Sequence, residues 1–352
     1  MKRSTKFALG LCGLLVAGCS DGPPEPRQQR IYAMGTWVDL SIRDADSATV
    51  QTLVAEIETV LSAFERDYYA WVPGQLAELN DAIHAGEPAL VSAPLAALVG
   101  EAQRLSALSE GFFEPGLGAL VELWGFHSST EIPRLPPSDD EISEHLVAGA
   151  RIALLRIDGL RIESSSRRLT LDLGGIAKGA AVDMVIDLIR EHRIEHALVN
   201  AGGDLRVIGR SAGQQDERLW RVGIQNPRDT SLLDVIELEN GEAAFTSGDY
   251  ERFYDLDGAR FHHILDPRTG YPVTHTRAVT VIAADGVTAD AAATALFVAG
   301  PDRWRQIARA LDIEYVLRVD ASGEVELTEL MRNRLKQAAE IDSDIMTPPD
   351  KD

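Results

Sequence analysis

The chain has 352 residues, 45% of them hydrophobic and 25% charged, with a formal net charge of −21. This is ordinary globular composition, with enough chain for one large domain or two intimately packed ones around a sizeable core. The acidity excludes nucleic acid as the main partner, because nothing basic clusters to meet phosphates. An anionic ligand must therefore be met locally, by backbone amides, a few cations or a metal.

Lys2, Arg3 and Lys6 precede an apolar run from Phe7 to Ala17, and Leu15-Val16-Ala17-Gly18-Cys19 ends it with small residues before a cysteine. The run is well short of the roughly 20 residues a spanning helix needs. Residues 1–18 therefore read as a bacterial lipoprotein signal, with Cys19 as the lipidated residue. Cys12 and Cys19 are the only cysteines, so the mature domain has no disulfide and draws its stability from its core. Residues 19–30, rich in Pro, Gln and charge, read as a flexible tether between lipid and domain.

Ile31 to Ile42 alternates as a strand does, interrupted at Met34-Gly35-Thr36. Ala48 to Phe64 carries Val50, Leu53, Val54, Ile57, Val60, Leu61 and Phe64 at helical spacing, and Pro94 to Leu108 does likewise. Ser128 to Asp140, rich in Pro, Ser and Asp, reads as an exposed loop. Short strands are expected at 161–162, 168–173, 197–199, 205–209 and 220–224, with a helix from Gly179 to His192. A strand at 278–283 leads into helices at 288–298 and 302–311, and a hairpin at 314–319 and 324–327 closes the domain. Residues 331–352 read as a polar, frayed tail. The sum is an α+β domain over 31–330, with helices covering an irregular mixed sheet.

Four segments carry chemistry. In Leu171-Asp172-Leu173-Gly174-Gly175-Ile176-Ala177-Lys178-Gly179 an apolar strand ends in a carboxylate, two glycines permit close approach, and a lysine opens a helix. Asp290 and Thr294, four apart among alanines, stack two hard oxygens on one helical face. That suits Mg²⁺, while a dipole-complementing carboxylate and a threonine bonded back to a carbonyl are the alternative. Arg260 to Pro272 contains His262-His263 before a proline-fixed turn. No third soft ligand stands at a familiar spacing, so zinc is rejected. One histidine acting as general base beside a carboxylate is the chemistry available there, with a satisfied histidine at a strand end as the alternative, favoured when the segment is read alone. Asn200-Ala201-Gly202-Gly203-Asp204 lacks the GxGxxG spacing and reads as a tight turn between strands. Asn226-Pro227-Arg228 and Phe245 to Tyr250 are polar turns, with Tyr250 and Tyr254 as stacking candidates.

Taken together and in this order, these segments resemble the ApbE family, the FAD:protein FMN transferases. The resemblance rests on the lipoprotein signal, Met34-Gly35-Thr36, Gly111 to Pro115 running to Leu123-Trp124-Gly125-Phe126, Leu171 to Gly179, Asn200 to Asp204, His263 to Pro272, and the Asp290–Thr294 helix. It covers about Ile31 to Leu327. It implies a single large domain with two subregions, of ApbE-like, T-fold-related architecture. It also implies an enzyme that cleaves FAD between its phosphates and attaches FMN to a threonine of a partner protein, releasing AMP. The partners implied are subunits of membrane redox complexes of the Nqr or Rnf type. Some members instead hydrolyse FAD to FMN and AMP with Mg²⁺.

Carried over by position, Met34, Trp71, Phe112, Phe113, Glu114, Asp172, Lys178 and Leu265 (through its backbone) line the FAD site. The Gly175 carbonyl, Asp290 and Thr294, with Ala293 close by, hold the metal. The family often has Asp where Glu114 stands and Tyr where Trp71 stands. Trp71 and Phe112 are expected to cover the flavin ring, and His263 to serve as base with Asp266 orienting it. Asp290, read as a first-turn surface carboxylate, is expected to be removable at a stability cost of about 1 kcal/mol or less. The resemblance implies a lipid-anchored protein on the periplasmic face of the envelope. The inner membrane is usual for the family, with the outer membrane left open by Ser20 after the lipidated cysteine. Rival readings are an FAD diphosphatase and a non-catalytic flavin-binding lipoprotein.

Overall fold

The computed structural model describes residues 26–127, 135–147, 151–212 and 218–336. The signal, Cys19 and most of the polar tail lie outside the described residues. No helix among the described residues is long and apolar enough to cross a membrane.

An eight-stranded sheet organises the molecule. Its strands are β1 (Arg27–Ala33), β2 (Thr36–Ile42), β3 (Ala197–Ala201), β4 (Asp204–Ile208), β5 (Ala243–Gly248), β6 (Thr276–Ala283), β7 (Tyr315–Asp320) and β8 (Val325–Leu327), numbered within this sheet alone. Their spatial order follows the chain, and every neighbouring pair is antiparallel. Insertions between strands supply the rest of the domain. Helices α1 (Ser47–Tyr68), α2 (Gln75–Ala85), α3 (Ala93–Leu108), α4 (Gly118–Trp124), α5 (Asp139–Val147) and α6 (Gly174–Glu191) all fall between β2 and β3. Helix α7 (Gly286–Ala310) joins β6 to β7, and α8 (Glu329–Arg334) follows β8.

Period-two alternation decides which face each strand residue joins. In β3, Ala197, Val199 and Ala201 pack with α1 and α6, while Leu198 joins the opposite core with Trp220, Val222 and Leu238. That second core is roofed by a hairpin of Trp220–Gln225 with Leu232–Leu238. Helix α1 buries Val50, Leu53, Ile57, Leu61 and Phe64, the stripe legible in the sequence, and starts where Asp46 accepts the N–H groups of Ala48 and Thr49. Helix α7 is broken at Gly300 (φ +67°) before Pro301, so its two halves correspond to the two helices expected.

Several expectations are corrected. The tether is shorter than expected, because Arg27–Arg30 already pair in β1. The tail begins docked: 329–334 is helical, Leu335 bridges to Ile236, and the Lys336 N–H donates to the Val235 carbonyl. Asp139 and Asp140 open α5 and are not loop. Residues 168–173 form no strand. Leu169, Leu171 and Leu173 are buried alternately, but the main chain is held by the Asn80 side chain, which bonds both the N–H and the carbonyl of Leu171 at 2.8 and 3.0 Å. Helix α6 starts at Gly174, five residues earlier than expected, so the glycines form its first turn.

Helices α6 and α7 cross at Gly179 and Gly286. A Cβ on Gly179 would stand 2.2 Å from the Gly286 carbonyl oxygen, so only glycine permits this approach. Asp183 of α6 caps α7 by accepting the N–H groups of Gly286 and Val287 at 2.8 to 3.1 Å, and is itself paired with Arg206. In an isolated helix Gly179→Ala would add about 1 kcal/mol of stability through propensity. Here the backbone clash outweighs it, and a net loss of about 1–3 kcal/mol is expected. Urea denaturation reads the sign directly, and a raised midpoint would contradict the crossing.

Candidate active site

The site forms at the end of the sheet where three turns meet: 34–35 between β1 and β2, 202–203 between β3 and β4, and the residues after β5. The β4–β5 ladder has only two pairs, Ala243↔Arg206 and Ala244↔Leu205. Beyond them the carboxylate of Asp204 takes over, with Oδ1 accepting the Thr246 N–H at 2.9 Å. Its other oxygen is ion-paired with Lys178 of α6, and Glu251 lies 3.7 Å from the same ammonium. Burial would lower the Lys178 pKa, but Asp204, Glu251 and Asp290 together hold it well above the usual lysine range. The ammonium is a fixed cation among carboxylates.

Asp290 and Thr294 lie one turn apart on α7, facing the first turn of α6. Asp290 is 5% exposed, and its Oδ2 accepts the Gly179 N–H at 2.9 Å. In a regular helix that N–H belongs to the Gly175 carbonyl, so the carbonyl competes with a carboxylate for its donor. A Cβ on Gly175 would lie 3.3 Å from Thr294 Oγ1, and that hydroxyl is 3.2 Å from Ser247 Oγ. Burial pushes Asp290 up to about 7, with Lys178 opposing. A buried carboxylate, a hydroxyl and a helix-end carbonyl make an all-oxygen donor set suited to a hard divalent cation. Ala293, 1% exposed, fills the space behind them. Among the described residues no three His, Cys, Asp or Glu side chains cluster as a metal centre, so any ion here relies on one carboxylate with backbone and hydroxyl oxygens. Burial also corrects the surface reading of Asp290: its carboxylate is a buried partner of the Gly179 N–H, not a solvated first-turn charge.

The carboxylate of Asp172 spans two elements. Its Oδ1 accepts the Gly174 N–H at 2.7 Å, and its Oδ2 accepts the Trp71 indole N–H at 3.1 Å. Trp71 is half-buried, 5.1 Å from the His127 ring, and Tyr69 donates its hydroxyl to the His127 carbonyl. Met34 stands at the mouth with φ +54°, a strained value for a side-chain-bearing residue, and its N–H donates to Glu65 at 3.1 Å.

The other expected residues play different parts. Phe112 is 4% exposed and its ring is covered by the guanidiniums of Arg268 (4.5 Å) and Arg303 (5.6 Å), so it has no free face to stack on a flavin. Phe113 touches the α6 start, 3.3 Å from a Gly175 Cβ position. Glu114 accepts the N–H groups of Gly116 and Ile152 at 2.9 and 2.8 Å, and burial raises its pKa. In this arrangement it braces a loop. Leu265 bridges to Pro272 while its side chain packs with Leu120 and Trp124. Tyr254 is taken up by Phe126 and Phe261 in an aromatic stack.

The paired histidines separate cleanly. His262 is buried with both ring nitrogens engaged, Nε2 at the Val273 carbonyl and Nδ1 at the Ile264 N–H. His263 has a buried Nδ1 with no hydrogen-bond partner. Asp266 does not orient it. That carboxylate is held by Arg268 at 2.7 and 2.9 Å, and its backbone closes the turn to Gly270 and Tyr271. The charged group acting most on His263 is Glu251, ahead of Arg252, and no local sequence signal marked it because it belongs to a strand-end turn.

Comparisons with known proteins identify the family and the fold. The profile of the ApbE family matches residues 34–317. An FAD:protein FMN transferase from Rhodobacter capsulatus is 36% identical over 340 residues, 95% of this chain, which spans 64% of that protein's length. One from Vibrio cholerae is 34% identical over 322 residues, 87% of this chain and 91% of its own. The crystal structure of an ApbE protein from Thermotoga maritima superposes with a TM-score of 0.80 at 34% identity, covering 89% of this chain and all of that one. The flavin transferase ApbE of Vibrio cholerae gives 0.77 at 31% identity, covering 88% and 99%.

Burial pushes the His263 pKa down to about 3, against an upward pull from Glu251. The unfolded chain, with a histidine near 6.5, binds this proton more tightly than the folded one does. Stability therefore falls as pH drops from 6.5 towards 3. His263→Gln is expected to flatten that part of the pH–stability curve measured by denaturation. An unchanged slope would show that the ring is not desolvated.

Proposed function

The chain belongs to the ApbE family, and we propose that it is an FAD:protein FMN transferase, using Mg²⁺ and a threonine of a partner protein as acceptor. The observation that carries this is the α6–α7 crossing, which brings Gly175, Lys178, Asp290 and Thr294 together, with Asp204 paired to Lys178 and His263 near enough to feel that charge. In the reaction the threonine oxygen attacks the phosphorus on the riboflavin side of the diphosphate. The bond from that phosphorus to the bridging oxygen breaks, and AMP leaves with the bridging oxygen.

Each residue then has a task. Lys178, kept charged by its carboxylate neighbours, meets the phosphate chain. Trp71, fixed by Asp172, offers the half-open aromatic face for the flavin ring. His263, neutral at pH 7, is the candidate acceptor of the threonine proton, and a bound dianion would raise its proton affinity. Asp290, Thr294 and the Gly175 carbonyl would hold Mg²⁺, with Ala293 behind. When bound, the ion supplies positive charge to the diphosphate, which an acidic protein otherwise lacks. Lipid-anchored through Cys19 on the periplasmic face of the envelope, the domain would act on membrane redox subunits of the Nqr or Rnf type.

Asp290→Asn keeps an acceptor for the Gly179 N–H while removing the charge. Its turnover is expected to fall by about 100-fold or more, and chelation by EDTA should arrest the unaltered enzyme until Mg²⁺ is restored. Full activity of the variant would remove Asp290 from the ligand set. Incubation with FAD, Mg²⁺ and a threonine-bearing acceptor, read by mass spectrometry, tests the transfer itself. The expected products are flavinylated acceptor and AMP. Free FMN with unmodified acceptor would instead make the protein an FAD diphosphatase, and bound but intact FAD a flavin carrier.

A further inference from the structure

The cleft is short of positive charge. Asp172, Asp204, Glu251 and Asp290 face it, while Lys178 is already engaged by Asp204 and Glu251. A second cation stands next to Glu251 in the chain. The carbonyl of Arg252 accepts the His263 N–H at 3.0 Å, which fixes its backbone beside the histidine. Its side chain is exposed, and among the described residues its guanidinium makes no hydrogen bond or ion pair. Its charge is felt at groups from two separate elements, the His263 imidazole and the phenol of Tyr69 just beyond α1. Tyr69 in turn is tied to His127, the neighbour of Trp71. Arg252 is thus exposed next to the histidine, with its charge reaching the Tyr69 side of the site.

We propose that Arg252 is a substrate-binding residue whose guanidinium grips the diphosphate of FAD as a second cation, separate from Lys178. An unpaired arginine presents a planar fork that matches phosphate oxygens, and its freedom from internal partners means that nothing must be broken on binding. The assignment rests on the flavin reading above and extends it to a residue outside the motifs that suggested that reading.

Fluorescence titration with FAD tests it on the full domain with Mg²⁺ present. Arg252→Gln is expected to bind FAD about tenfold to a hundredfold more weakly. Arg252→Lys, which keeps the charge but not the fork, should lose less affinity than Arg252→Gln. The apo melting temperature should be nearly the same in all three proteins, because the side chain is exposed and no hydrogen bond or ion pair holds it among the described residues. Unchanged FAD affinity in Arg252→Gln, equal loss in Arg252→Lys, or a lowered apo melting temperature would each overturn the assignment. Failure of the unaltered protein to bind FAD at all would instead bring down the flavin reading, and this residue's role with it.

Discussion

The close crossing of α6 and α7 is the constraint on which the site depends. With no side chain between Gly179 and Gly286, the two backbones come near enough for Asp290 to accept a main-chain N–H from a residue 111 positions away. The same approach sets Thr294 against Gly175. Asp183 and Arg206 then lock the start of α7 onto α6 and β4. Widening this contact by one methyl group would separate oxygens that must act on a single ligand, so packing and chemistry share one geometric requirement.

The second requirement is electrostatic. Burial pushes Asp290 up to about 7 even though the Lys178 charge pulls the other way. Carboxylates withdrawn from water this far are costly unless positive charge reaches them. A cleft built in this way favours an arriving cation and a phosphate chain together over either alone. On the proposed function, a protein of net charge −21 would hold its anionic substrate through a few fixed groups, not through the overall field.

The sheet explains why the site falls where it does. Because β1 to β8 lie side by side in chain order, alternate connections emerge at the same end. The turn at Met34, the glycine pair at 202–203 and the segment from Asp249 to Arg252 are brought together there. The gap after two ladder pairs between β4 and β5 leaves an N–H for Asp204 to bind. A sheet paired fully along its length would have satisfied that N–H itself and left the carboxylate to face Lys178 unsupported.

Long amphipathic helices such as α1 and α3, the two halves of α7, and the closing hairpin were legible because each buries one face, and burial imposes its period on the residues. The ordered motifs also marked the chemistry of Lys178, Asp290 and Thr294. Residues 168–173 show where the pattern misleads: alternate leucines look like a strand, yet their backbone bonds go to Asn80 and neighbouring loops. Asp266 looked like a partner for His263 only because it is close in the chain, whereas its carboxylate serves its own turn. Glu251 and Arg252 carried no local signal, since what they face comes from α6, from the residues just beyond α1, and from the strand end at His263. Composition and local periodicity determine the elements and the kinds of functional group available. Which groups meet, which are desolvated and which stay free are decided only when distant backbones pack, because burial and distance are properties of the folded chain.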